Sequence, residues 1–264
     1  MLIDKKIFFE IKKGRYTVGL DEDSIVKLNP SIYDSPIKTE FLYNSFPMHD
    51  VILNGALISR KLVTLSDFKR FIEDTDYKTE AEDDQWGWVW EGRWEKKAQV
   101  SWETPFGNVS DEIYSKNEDT IPVMQVSFND AIEYCRWLSR VTGENIRLPY
   151  EAEWEILSSE FASVDLNMND IPIPGNSREF IEQLLMIIRK DSSRHPSGLI
   201  WEWTMNWFNA YPGGRKNKEF GEVYKVLKGG SLMSHEIQKR GEYRFRRCPT
   251  ARSPYYGFRV GMEN

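Results

Sequence analysis

The chain has 264 residues, a formal net charge of −6, and 10 tryptophans within an aromatic share of 14%. This length can bury one substantial core without disulfide or metal staples. The acidic balance argues against a general nucleic-acid binder, and no apolar run approaches the roughly 20 residues of a membrane span. The two cysteines, Cys135 and Cys248, have no metal-binding spacing. The N-terminal "MLIDKKIFFEIKKG" has charges on both sides of a very short apolar patch, unlike a signal peptide. Together these features point to a cytoplasmic protein with reduced thiols, in which the sequon beginning at Asn108 is an unused coincidence.

In chain order, "KIFFEIKKGRYTVGL" carries β-branched and aromatic residues around Gly14, which predicts strands with a hairpin turn there. "DVILNGALISRKLVT" repeats the signal, with a turn at Asn54-Gly55. In "TLSDFKRFIEDT", Thr64 and Asp67 have capping-box spacing ahead of apolar residues at helical intervals. Ser127 and Asp130 repeat the device in "SFNDAIEYCRWLSRVTG", which Gly143 ends. Pro149 opens a shorter helix, as proline does at a first helical position. Asn176 caps "NSREFIEQLLMIIRKDSSR", whose wide apolar face fits packing on the core or a partner surface on helix 176–190. Strand signals return in "IWEWTMNWF", "YKVLKGGS", "EYRFRRC" and "YYGFRVG". Strands at both ends with helices between predict an α+β fold whose termini meet in one sheet.

Six segments, in order, carry a family resemblance: "TEAEDDQWGWVWEGRW", "PVMQVSFNDAIEYCRWLS", "RLPYEAEWE", "WEWT", "VLKGGS" and "RSPYYGFRV". They resemble the formylglycine-generating enzyme, or sulfatase-modifying factor, family. The resemblance implies one C-type-lectin-like domain over 1–264, with little regular secondary structure and a helical insertion at about 176–190. Active members oxidise a peptide cysteine with oxygen and copper, held by two cysteines just after Gly-Gly-Ser. Here Gly229, Gly230 and Ser231 match that motif. Ser234 stands at the first cysteine position, and Lys239 or Glu242 at the second. Soft thiolates select Cu(I), and these residues offer none, so copper-dependent formylglycine generation is not expected. The resemblance also implies that Cys135 and Cys248 have lost disulfide partners and are free, small buried thiols. Leu199 replaces an asparagine that helps bind calcium in many members, so that calcium site is expected to be lost.

Ser231, His235 and Trp201 match family positions near the substrate cleft. Ser231 and His235 could act as an acid/base pair, or Ser231 could bond backbone in a turn with His235 at the cleft edge. His235 with Glu242 supplies too few ligands for a metal site, so no metal is assigned. Lys239, Arg240, Arg244, Arg246, Arg247 and Arg252 form a basic cluster in an acidic chain. It can pair with internal carboxylates or grip an anionic or peptide-carboxylate ligand. The expectation is a peptide- or protein-binding protein using the cleft between 201–208 and 229–256, with Trp203, Arg244, Arg246, Arg252 and Tyr255 as ligand contacts. The alternative is a cysteine-independent oxidoreductase in oxidative maturation of a peptide or natural product. Its working residues would be Ser231, His235, Glu242 and Trp201.

Overall fold

The computed structural model describes residues 5–29, 37–107, 111–161 and 171–263; the sequon at 108–110 lies outside the described residues. Strands β1 (Phe8–Ile11) and β2 (Gly14–Val18) are followed by two short helices, α1 (Glu22–Lys27) and α2 (Thr39–Leu42). Strands β3 (His49–Leu53) and β4 (Ala56–Ser59) come next. The hairpins expected at Gly14 and at Asn54-Gly55 do not form. β1 pairs with β4 and β2 with β3, and the same antiparallel register holds in both pairs, from Phe8↔Ser59 to Ile11↔Ala56 and, after a break at 12–13 and 54–55, from Gly14↔Leu53 to Val18↔His49. The two signals mark the break between these two strand pairs, where Gly55 takes φ +99°. The partner strand lies about 40 residues away in the chain, so a local turn signal cannot reveal it.

The helices begin where their caps require. Thr64 and Asp67 close a complete capping box on α3 (Leu65–Thr75), and Thr79 and Glu82 close another on α4 (Glu80–Asp84). Next come the hairpin β5 (Trp86–Trp90) and β6 (Trp94–Ala98) and the short α5 (Asp111–Ser115). Ser127 and Asp130 cap α6 (Phe128–Thr142), and Gly143 ends it at φ +77°. After β7 (Ile146–Arg147), α7 (Glu151–Phe161) begins two residues beyond Pro149. The Tyr150 carbonyl accepts from the Trp154 N–H, so Pro149 precedes the cap instead of occupying the first helical position.

In α8 (Ser177–Lys190), the Asn176 side chain accepts from the Glu179 N–H at 3.0 Å. Phe180, Ile181, Leu184, Leu185, Ile187 and Ile188 are all buried. At roughly 1.5–3 kcal/mol per buried side chain, this face holds the helix to its own chain. The partner surface expected there is therefore corrected to a core-packing face, which leaves Met186 as its exposed apolar residue.

The remaining elements are β8 (Trp201–Trp207), β9 (Lys225–Lys228), α9 (Glu236–Lys239), β10 (Phe245–Arg247), β11 (Tyr256–Gly257) and β12 (Gly261–Glu263). One sheet runs β1-β4-β12-β7, so both ends of the chain pair with β4 as expected; a second runs β10-β9-β8-β11. Rings of Phe68, Phe71, Tyr134, Trp137 and Phe258 interlock at centroid spacings of 5.2–6.4 Å between α3, α6 and the C-terminal segment. Both thiols are free; Cys135 is buried on α6, whereas Cys248, expected to be buried, is exposed.

Candidate functional site

The Gly-Gly-Ser turn follows β9. Gly229 and Gly230 have φ of +94° and +70°. A Cβ on Gly229 would sit 2.8 Å from the Trp154 ring, and one on Gly230 would sit 2.9 Å from the Gln238 carbonyl oxygen. The turn is thus clamped between α7 and α9, and only glycine fits it. Ser231 and Ser234 are buried and bonded to each other. The Ser231 N–H donates to Ser234 Oγ at 3.0 Å, the two hydroxyls lie 3.2 Å apart, and the Met233 N–H donates to Ser231 Oγ. His235 caps α9: its Nδ1 accepts from the Ile237 N–H at 3.3 Å, and its own N–H donates to Gln238 Oε1. Glu242 pairs with Arg240 at 3.1 Å. Ser231 and His235 therefore make their bonds within neighbouring turns and not as the acid/base pair the spacing suggested.

The donor set around this turn is two hydroxyls, one imidazole and an outlying carboxylate. It does not fit Cu(I), which takes soft thiolates. Leu199 is buried, and its carbonyl already accepts from the Leu232 N–H at 3.2 Å. That leaves no side-chain oxygen for a calcium ion at this position.

The expected ligand contacts have internal partners. Trp203 is fully buried, and its Nε1–H donates to the Val126 carbonyl at 3.0 Å. The Arg244 guanidinium makes two bonds to Glu151, at 2.6 and 3.1 Å, and donates to the Asn44 and Asn209 carbonyls. It lies between the Phe208 and Tyr211 rings, and Arg244 is only 1% exposed. Arg246 pairs with Glu219. Tyr255 is buried among Trp94, Phe106 and Phe180, and burial pushes its phenol up. Trp203, Arg244 and Tyr255 are thus corrected from ligand contacts to core residues, because each side chain lies within the packed interior. Trp201 is also buried, stacked on Phe245 at 4.6 Å.

Arg252 bridges the core to an open groove. It pairs with Asp84 at 2.7 Å, donates to the Trp86 carbonyl and lies 4.1 Å from the Trp86 ring centroid. The groove, about 570 Å³, lies between the β5–β6 hairpin and the segment 247–256. Trp86 and Trp88 alternate on its open face, with Trp94 on β6. Their rings stand nearly perpendicular, at 88° for Trp86–Trp88 and 83° for Trp88–Trp94. The intervening Gly87 is on the buried face, where a Cβ would lie 2.6 Å from Val100 Cγ1. Gln125 holds the hairpin by donating to the carbonyls of Trp88 and Pro105. Arg247, Cys248 and Tyr256 form the opposite wall. Tyr256 is on β11, which pairs with Trp201 of β8, so β8 lies between the groove's β11 wall and β9, the strand that leads into the Gly-Gly-Ser turn. Sequence reasoning missed Trp86, Trp88 and Trp94 as site residues, although their alternation in "WGWVWEGRW" signals one strand face.

A family model for the sulfatase-modifying factor enzyme 1-like domain matches residues 7–163 and 194–263. The chain belongs to this FGE-sulfatase family. The interval between the two matched parts contains α8. The formylglycine-generating enzyme of Mus musculus is 24% identical, over 83% of this chain and 68% of its own length. The inactive C-alpha-formylglycine-generating enzyme 2 of the same organism is 26% identical, over 81% and 77%. Among solved structures, PvdO from Pseudomonas aeruginosa has the same FGE-type fold, with a TM-score of 0.60 at 19% identity, over 97% of this chain and 94% of that one.

Proposed function

We propose that this FGE-sulfatase family member binds a peptide or protein segment in its tryptophan-lined groove and does not generate formylglycine. The observation that carries the proposal is Ser234, where the resemblance calls for a ligand cysteine. Its hydroxyl is locked to Ser231 inside a buried turn, while the aromatic groove on the far side of β8 stays open. A groove of this volume lies within the usual range for ligand sites. Perpendicular indoles offer large, rigid contact area at low entropic cost. The name of the mouse relative, an inactive formylglycine-generating enzyme 2, agrees with a family in which the scaffold outlives that activity. Among the described residues no helix is long and apolar enough to cross a membrane. The two free thiols support a reducing compartment, the cytoplasm.

Selection from a displayed random-peptide library, followed by calorimetry on the full chain, tests this. A selected peptide should bind saturably, and Trp88→Ala should weaken it at least about tenfold. A parallel anaerobic Cu(I) titration should give no tight stoichiometric binding. Equal affinity in Trp88→Ala would remove the groove from the function, and one tight Cu(I) per chain would restore copper chemistry. Oxygen uptake with a bound peptide, lost in His235→Ala, would instead favour the oxidoreductase alternative built on Ser231, His235, Glu242 and Trp201.

A further inference from the structure

The two edges of the β5–β6 hairpin differ. The Glu91 N–H donates to the Arg93 carbonyl at 3.1 Å, and the Gln99 N–H to the Gln85 carbonyl at 3.0 Å. Trp86 lies opposite Ala98 and Trp90 opposite Trp94, so antiparallel alternation makes Gly87–Lys97 and Val89–Glu95 the mutually bonded pairs. The main-chain groups of Trp86, Trp88 and Trp90 therefore point out of the hairpin on the β5 side, and those of Trp94, Lys96 and Ala98 point out on the β6 side. All three β5 carbonyls are taken, by Arg252 at 3.0 Å, by Gln125 and by Ser177 at 3.0 Å. On the β6 side, the outward N–H and C=O groups have no partner among the described residues, and all three residues are exposed. An exposed row of unpaired main-chain groups is a template for a further strand.

The side chains beside this edge select what pairs with it. Trp94, Lys96 and Ala98 lie opposite Trp90, Trp88 and Trp86, so they share the tryptophan face of the hairpin. The Lys96 Nζ is 3.8 Å from the Trp86 ring centroid and 5.5 Å from that of Trp88, and it has no carboxylate partner among the described residues. Contact with the indoles orients this cation without neutralising it. Glu95 pairs with Arg93 and is on the opposite face. We propose that β6 takes up an extended peptide as a third, antiparallel strand. A carboxylate of the peptide faces Lys96, and an aromatic or β-branched side chain faces Trp94. A second copy pairing through the middle of β6 would set Lys96 against Lys96, a destabilising like-charge pair, so the occupant is a different, acidic segment. The inference rests on the peptide-binding reading and gives it a mode, in which the edge holds the main chain and the tryptophan face receives side chains.

Fluorescence polarisation on the full chain tests the proposal. The probe is a fluorescein-labelled TYTETYT-amide, a palindrome that places Tyr, Glu and Tyr on one strand face. Saturable binding is expected. Methylating the glutamate nitrogen removes the central edge hydrogen bond and crowds the strand, and should weaken binding at least about tenfold. The TYTKTYT peptide should bind at least about threefold more weakly than TYTETYT, and Lys96→Glu, at an exposed position, should reverse that preference. No saturable binding of TYTETYT, equal affinity of the methylated peptide, or a preference unchanged in Lys96→Glu would each overturn the strand addition. Trp88→Ala separates this failure from that of the groove. Binding lost in Trp88→Ala but indifferent to the methyl group would keep the groove and remove the edge. Equal affinity in Trp88→Ala, with the methyl and Lys96→Glu effects intact, would keep the edge and remove the groove.

Discussion

His195 shows what a single buried residue can do to stability. Its Nδ1 accepts from the Leu62 N–H at 3.0 Å, so the ring must be neutral with the proton on Nε2. Burial first, then the charges of Arg259 and Lys61, pull its pKa down to about 3. The folded value is below the unfolded one of about 6.5. The stabilisation is therefore present above pH ~6.5 and is lost as pH falls towards 3, by about 1.4 kcal/mol per pH unit. Buried Asp130 and Glu155 act in the opposite sense, because burial raises their carboxyls and the folded state holds those protons more readily. Urea unfolding between pH 7 and 4 should show a steeper loss in the parent than in His195→Gln, by close to one proton. Equal slopes would show that His195 does not titrate in this way. The sequence shows His195 only as an isolated histidine, because its partners come from the β4–α3 connection and the C-terminal segment. Arg244 and Arg246 were legible as members of the basic cluster, and both meet the Phe208 ring. What the pattern could not show was that Glu151, 93 residues away, would bury Arg244.

At the scale of elements, the caps were the most legible feature. Ser127–Asp130 and Thr64–Asp67 operate as their spacing predicts, because a capping box is closed within four residues. Strand pairing was the least legible, since it joins β1 to β4 and β2 to β3 across distant segments. The β5–β6 hairpin combines both kinds of information. Its tryptophan alternation is local, but its seating depends on Gly87 facing Val100. Gly87→Ala would bring a methyl group 2.6 Å from Val100 Cγ1 and 2.9 Å from the Val100 carbonyl oxygen. A loss of about 1–3 kcal/mol is expected in chemical denaturation, together with weaker peptide binding as the tryptophans shift. Wild-type stability in this variant would show that the hairpin floats free of Val100.

For the whole molecule, the decisive contact is the Arg259–Glu202 pair, 0% and 1% exposed in their side chains. Arg259 makes two bonds to Glu202 and also donates to the carbonyls of Ser59 and His195. Glu202 accepts in addition from Trp154 Nε1 at 2.8 Å. One guanidinium thus ties the C-terminal segment to β4, β8 and, through Glu202, α7. Arg259→Met should cost about 3–5 kcal/mol in urea unfolding by stranding a buried carboxylate. Arg259→Lys should recover less than half, because an ammonium cannot span these acceptors. Full recovery by lysine would show that charge alone matters.

The sequence by itself determined the family, the α+β class, the capped helices, the meeting of the termini and the absence of thiolates beside Gly229-Gly230. These follow from residue types at short spacing or from ordered motifs along the chain. Only the tertiary structure decided which polar side chains are internal and which face open space. It buried Trp203, Arg244 and Tyr255 and opened a groove over Trp86, Trp88 and Trp94. Burial and pairing depend on segments brought together across the whole chain, and those contacts leave no signal in local spacing.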